Sequence, residues 1–157
     1  MSPRLDSFKV APEAIKPLLA VEKYLASCGL EPSLIELVKT RASQINGCAY
    51  CLHMHTHDAR AKGETEERLY LLDAWQESAL YTPRERAALA WTESVTRVAQ
   101  THVPDEVFAE ASAHFTEPEM VNLTLLVATI NTWNRIAISF RTQHPADARH
   151  AAGARQA

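Results

Sequence analysis

Apolar residues cluster on one side of helical turns along most of the chain. In the segment 33–46, for example, Leu34, Ile35, Leu37, Val38, Ala42 and Ile45 define such a face. Seven helices are predicted from this pattern and its punctuation. The first covers 12–28 and stops at Gly29. The second starts near Ser33, whose hydroxyl can cap it, and ends at Asn46-Gly47. A third begins at Gly47 or Cys48 and ends near Gly63, and 64–75 forms a fourth. Thr82-Pro83-Arg84-Glu85 is a capping box with proline at the first helical position, opening a fifth helix to about Gln100. Residues 104–115 form a short sixth helix. Thr116-Glu117-Pro118-Glu119 is a second capping box and opens a long helix to about Phe140. No alternating pattern of strand length appears. The expected fold class is all-α: one helical domain over 1–140, followed by a polar, Ala-rich, mobile tail over 141–157.

Composition narrows the class of protein. The chain has 157 residues, 46% hydrophobic and 22% charged, with four glycines. A chain of this length buries roughly 70% of its unfolded surface and needs no disulfide staples. The formal net charge is −3 and there is no long basic run, which argues against nucleic acid as a partner. The opening Met-Ser-Pro-Arg-Leu-Asp lacks the apolar stretch of a signal peptide. The most apolar segment, 123–140, is broken by Asn131, Asn134 and Arg135, and it reads as a buried helix rather than a membrane span. The expectation is a cytoplasmic protein with no membrane partner. In that reducing compartment three cysteines are not a disulfide framework, and a CxxC pair points to catalysis or metal binding.

That pair lies in the third helix, at Cys48 and Cys51. At 100° per residue, Cys48, Cys51 and His55 fall within about 60° of one another. Leu52 and Ala59 share their side, while His53, His57 and Arg60 lie opposite. Both thiols sit in the first turns, where the helix N-terminus favours the thiolate. His55, one turn past Cys51, is placed to accept or relay a proton. The plainer alternatives are a pair of buried small residues or a zinc site. Zinc would take Cys48, Cys51 and His55, but His53 and His57 project away from that stripe and no second CxxC follows. Leu52 stands where covalent haem attachment needs histidine, and a thioredoxin-like fold would place a strand before the CxxC.

With Glu36 added, the pattern resembles the AhpD-like alkylhydroperoxidases of the carboxymuconolactone decarboxylase superfamily. Their pattern is a glutamate, then CxxC, then histidine four residues after the second cysteine. Here Glu36 stands twelve residues before Cys48, and His55 four after Cys51. The segment from Glu36 through Arg41, Asn46 and Gly47 to Cys48 is similar too, as is Asn131-Thr132-Trp133-Asn134-Arg135. The core of the likeness covers about 30–100. Tyr50 stands between the cysteines where some of these proteins carry histidine.

The resemblance implies an all-α fold and a homo-oligomer, a trimer or hexamer. It implies reduction of an organic hydroperoxide by the dithiol, with an external dithiol as reductant and no metal or other cofactor. Cys51 would be the peroxidatic thiol, Cys48 the resolving thiol, and His55 with Glu36 a proton relay. Helix-dipole reasoning alone favours Cys48 as nucleophile. Periodicity alone makes Glu36 a solvated carboxylate, because it lies nearly opposite the apolar face of its helix. The functional reading requires that helix to be covered on both sides. Two other functions stand beside peroxide reduction: a redox sensor or interaction protein that switches through the disulfide, and a decarboxylase acting on a lactone, a branch that does not rely on a CxxC, so that the intact pair argues against it. His53 and His57 are expected at the surface. Cys28 is expected as a buried or incidental thiol, and Trp75, Trp91 and Trp133 as core residues. Asn131, Asn134 and Arg135 are expected to fix a helix–helix contact or a subunit interface, with a direct role in a pocket as the alternative.

Overall fold

The computed structural model describes residues 2–146. Its elements are α1 (Ser7–Val10), α2 (Pro12–Leu25), α3 (Pro32–Asn46), α4 (Ala49–Ala61), α5 (Glu66–Leu71), a 3-10 segment (Leu72–Glu77), α6 (Pro83–Thr96), α7 (Val98–Thr101), α8 (Asp105–Ser112) and α9 (Glu117–Phe140). The described residues hold no strand, and none of their helices is long and apolar enough to cross a membrane. The fold class is all-α, as the periodicity indicates. The expected mobile tail falls largely outside the described residues, at 147–157.

The bundle is organised around α3, which packs against α4, α6 and α9 at once. Residues 34–43 are buried without a break. Leu34, Ile35 and Val38 join Ala88 and Trp91 of α6, Phe115, and Leu123, Leu126 and Val127 of α9 in the main core. On another side Leu37 packs with Leu72, Trp75, Tyr81 and Leu89. A third cluster joins Ala42 to Cys48, Cys51, Ile130 and Ala137, and so places the dithiol where α3, α4 and α9 meet.

Both capping boxes form, at Thr82/Glu85 and Thr116/Glu119, so α6 and α9 start where expected. Other boundaries differ for local reasons. Ser33 does not cap α3. Pro32 occupies the first helical position, where its missing N–H and fixed φ are suited, and Glu31 becomes the N-cap residue. The side chain of Glu31 turns instead to Arg84 of α6, 2.8 Å away. The segment 64–75 is not one helix. Thr65 caps α5, Ala74 then leaves helical geometry, and Arg86 holds the carbonyls of Trp75, Gln76 and Ser78. The fifth predicted helix breaks at Arg97 (φ −101°, ψ 32°), leaving α7 separate. The first predicted helix ends at Leu25, before Cys28, whose carbonyl accepts from Asn122 Nδ2 at 3.0 Å. One helix escapes the periodicity altogether: α1 is a single turn, capped by Asp6 accepting from the N–H groups of Phe8 and Lys9.

The polar residues of α9 form a clamp. Asn46 Nδ2 donates to Asn134 Oδ1 at 2.8 Å and to Asn131 Oδ1 at 3.0 Å. Asn134 Nδ2 donates to Ser43 Oγ at 3.0 Å, and Asn131 Nδ2 to Thr96 Oγ1 at 3.0 Å. Arg135 closes the set on Asn131. The helix–helix role expected for these three residues is the one they occupy, and the clamp seats the end of α3 just before the cysteines. Asn134→Ala would strand buried donors and acceptors on Ser43 and Asn46, at about 1–3 kcal/mol. A loss of unfolding free energy of that size, read as a lower urea midpoint at unchanged m-value, is the expected result; an unchanged midpoint would show that the clamp is not structural.

Candidate active site

The end of α3 positions the first cysteine. Gly47 adopts φ 68°, the left-handed conformation that favours glycine. Its N–H bonds the Gln44 carbonyl at 3.1 Å, and the Cys48 N–H bonds the Ser43 carbonyl at 3.0 Å, the two bonds of a Schellman stop. Cys48 therefore ends one helix and caps the next. Its Sγ accepts from the Cys51 N–H at 3.4 Å. The two sulfurs meet across a Cα–Cα distance of 5.4 Å, inside the span a disulfide bridges. Both cysteines are about 1% exposed.

Because α3 and α4 fold back as a hairpin, Glu36 comes to face the far part of α4. It is 4% exposed, and its two oxygens have different partners. Oε2 lies 3.0 Å from His55 Nδ1, and Oε1 accepts from Lys62 Nζ at 2.6 Å. Burial pushes the Glu36 carboxyl up; the hydrogen bonds and charge from His55 and Lys62 outweigh it and hold the group below its ordinary 4.5. The solvated reading of Glu36 is thus wrong. The polar side of α3 is covered by α4, so the period of the apolar face says nothing about the opposite face.

A cavity of about 720 Å³ opens beside this group. Cys51, His55 and Glu36 line it, with Tyr50 and Met54 from α4 and Leu19 from α2. The N-terminal segment closes one side. Arg4 bonds the Phe140 carbonyl through its N–H at 2.9 Å and the Ser139 carbonyl through its guanidinium at 3.0 Å. Phe8 stacks on Trp133, centroids 6.1 Å apart. Trp133 is therefore a cavity wall rather than a core residue, and its Nε1 donates to Glu22 Oε1 at 3.0 Å. Trp75 and Trp91 are buried in the core. Thr142 and Gln143, in the stretch expected as tail, also line the cavity.

The four sequence-derived candidates Cys48, Cys51, His55 and Glu36 thus lie in one site. His57 is exposed, whereas His53 is half-buried and stacks on His144. Two partners of the site escaped the sequence reading. Lys62 lies seven residues beyond His55, about 20° away on the helix, so the stripe that links the cysteines to His55 also led to it. Asp58 brings a third donor: oxygens of Glu36 and Asp58 and a nitrogen of His55 lie within 4.8 Å of one another, the one such group among the described residues that could hold a metal ion. The Lys62 ammonium on Glu36 Oε1 already supplies positive charge there.

The lowered Glu36 carboxyl has a consequence for stability. Its contribution is fully present above the unfolded value near 4.5 and is lost as pH falls through the lower folded value. Unfolding midpoints measured from pH 7 to 3 are expected to fall more steeply for the native chain than for Glu36→Gln. Parallel curves would show that Glu36 is not held anionic.

Known proteins resemble the chain to different depths. The chain is 44% identical over 139 residues to YdfG of Bacillus subtilis, covering 88% of this chain and 95% of that one. Among solved structures it is 46% identical to a protein of Agrobacterium tumefaciens described as of unknown function and as a candidate antioxidant defence protein AhpD (TM-score 0.90, 92% and 99% of the two chains). The fold alone is shared with the debrominase Bmp8, at 21% identity and TM-score 0.75, over 88% of this chain and 75% of that one. Residues 12–94, more than half the chain, match the sequence model of the carboxymuconolactone decarboxylase family, and the chain belongs to that family.

Proposed function

We propose that the protein is a thiol peroxidase that reduces organic hydroperoxides through the Cys48–Cys51 pair. The observation that carries this reading is the conjunction of a closed CxxC pair, a buried His55–Glu36 couple and an apolar-walled cavity touching both. In the reduced enzyme, the Cys51 thiolate attacks the terminal oxygen of the hydroperoxide. The O–O bond breaks, the alkoxide leaves and takes a proton, and Cys51 becomes a sulfenic acid. His55, oriented by Glu36, takes the thiol proton and hands it to the departing oxygen. The Cys48 sulfur then attacks the sulfenic sulfur, forming the disulfide and releasing water. An external dithiol restores both thiols by exchange.

The cysteine roles are open to a direct test. One equivalent of cumene hydroperoxide added to the fully reduced protein is expected to remove two hydrogens from the intact mass and to yield a Cys48–Cys51 bridge in a non-reducing peptide map. Cys48→Ser should accumulate a trappable sulfenic acid on Cys51, and Cys51→Ser should not react. Two free thiols after peroxide would overturn the reading. A disulfide formed once but never turned over with supplied dithiols would favour the redox sensor.

The cavity walls make a second expectation. Apolar contact with Met54 is available to a bulky hydroperoxide and not to hydrogen peroxide. Met54→Ala is expected to raise KM for cumene hydroperoxide about fivefold, the loss of about 1 kcal/mol of apolar contact. Hydrogen peroxide kinetics should stay within about twofold. Equal effects on both substrates would show that the cavity does not select them.

A further inference from the structure

We propose that Lys62 is a positioning residue of the proton relay: its ammonium holds one oxygen of Glu36, reserves the other for His55, and so fixes which nitrogen of the His55 ring carries the proton. The catalytic consequence rests on the peroxidase reading above, whereas the ion pair and the tautomer can be tested without it.

The geometry divides the Glu36 carboxylate cleanly. Oε1 takes Lys62 Nζ at 2.6 Å and Oε2 faces His55 Nδ1 at 3.0 Å. An ionised Glu36 can only accept, so Nδ1 must be a protonated nitrogen, and in the neutral ring Nε2 keeps its lone pair as the base. A protonated Glu36 would reverse this. It could donate to Nδ1, move the ring proton to Nε2 and remove the base. Whether the relay works thus depends on a carboxylate that burial pushes toward its neutral form, and Lys62 opposes that push.

Lys62 suits this role because its backbone is pinned and its head stays partly hydrated. It ends α4, with its backbone N–H on the carbonyls of Asp58 and Ala59, and the chain turns away at Gly63 (φ 96°). The side chain is 43% exposed, so its ammonium keeps part of its hydration while Glu36 does not. The other charged groups near the site are otherwise engaged or of the wrong sign. Asp58 on α4 adds a carboxylate. Lys39, one turn along α3 from Glu36, is paired with Glu22 of α2 at 2.6 Å. Lys9 and Asp6 around α1 pair with each other at 3.1 Å, and the Arg4 guanidinium is on the Ser139 carbonyl. Lys62 is the lysine in contact with Glu36.

The test uses the full chain with Lys62→Met and Lys62→Arg, and Lys62→Gln should the methionine variant fold poorly. Carboxyl carbon NMR, with Glu36 assigned by its loss in Glu36→Gln, is expected to show Glu36 titrating at higher pH in Lys62→Met and near the native position in Lys62→Arg. Ring nitrogen shifts of His55 should report the Nδ1–H tautomer in the native protein and in Lys62→Arg, and a mixture or the other tautomer in Lys62→Met near neutral pH. In single turnover with cumene hydroperoxide, Lys62→Met should lose rate of disulfide formation at the acid end of the pH profile, by up to about tenfold for each unit that the essential ionisation moves up. The loss should shrink toward pH 8, KM should hold, and Lys62→Arg should restore the rate to within about twofold. An unmoved Glu36 titration and unchanged His55 tautomer in Lys62→Met would overturn the proposal. So would a rate loss that is equal at every pH and not restored by arginine. If the native protein forms no disulfide with peroxide, the peroxidase reading fails and the NMR arms still decide the role of Lys62.

Discussion

Helix α3 is buried on every side, yet carries Glu36, Lys39 and Arg41 within its buried stretch. A charge removed from water must be paired, and each pairing here reaches a different element. Glu36 meets His55 of α4 and Lys62, which caps the end of that helix. Lys39 meets Glu22 of α2, whose other oxygen accepts from Trp133 of α9. Arg41 donates to Glu93 of α6 at 2.9 Å and pairs with Asp73 of the 3-10 segment. Glu93 also accepts from the indole of Trp75 at 2.7 Å. Such pairs add little to net stability compared with apolar packing, but breaking one by removing a partner leaves an uncompensated buried charge, at about 3–5 kcal/mol. Their effect is to fix orientation. Each neighbour of α3 is held at a set register by a directional bond as well as by packing.

The site follows from that constraint. Two of the three ties border the cavity: Glu36 with α4, and Lys39 through Glu22 to Trp133. The element that organises the core therefore also orients the Glu36–His55 couple and one wall of the cavity. The dithiol is added at the end of the same helix, where the Schellman turn at Gly47 and the asparagine clamp from α9 set the start of α4. Cys48, Cys51, His55 and Lys62 then fall into line because they share one stripe of one helix.

That stripe, and the helices themselves, were legible in the sequence because they are local. Spacing within one helix, capping boxes and glycine stops depend on neighbours a few residues away. Glu36 shows where this reasoning fails. Its helix has an apolar face, but burial of the opposite face depends on α4 packing there, and no periodicity within 33–46 encodes it. Trp133 misled for a related reason. It lies on a long apolar helix, and only the return of the N-terminal segment, with Phe8 stacked against it, makes it a cavity wall. A four-residue helix such as α1 has no period to read. Lys62 was within reach of a helical-wheel argument, but an exposed lysine near a helix end is usually a solvated cap, and its partner Glu36 is twenty-six residues away.

Two physical arguments single out different cysteines, and the peroxidase reading would give each a task. Cys48 holds the N-cap position of α4, where the helix dipole and the Cys51 N–H favour a negative sulfur. Cys51 is the sulfur that lines the cavity. On the peroxidase reading these are separate tasks. The sulfur that meets peroxide must be reachable and have a base nearby, which selects Cys51. The sulfur that leaves when an external thiolate opens the disulfide departs faster the more its anion is stabilised. A reductant entering through the cavity attacks Cys51 and expels Cys48, the thiolate at the helix N-terminus. On that reading the dipole that argued for Cys48 as nucleophile serves it as leaving group, and the two ends of the CxxC would divide oxidation and reduction between them.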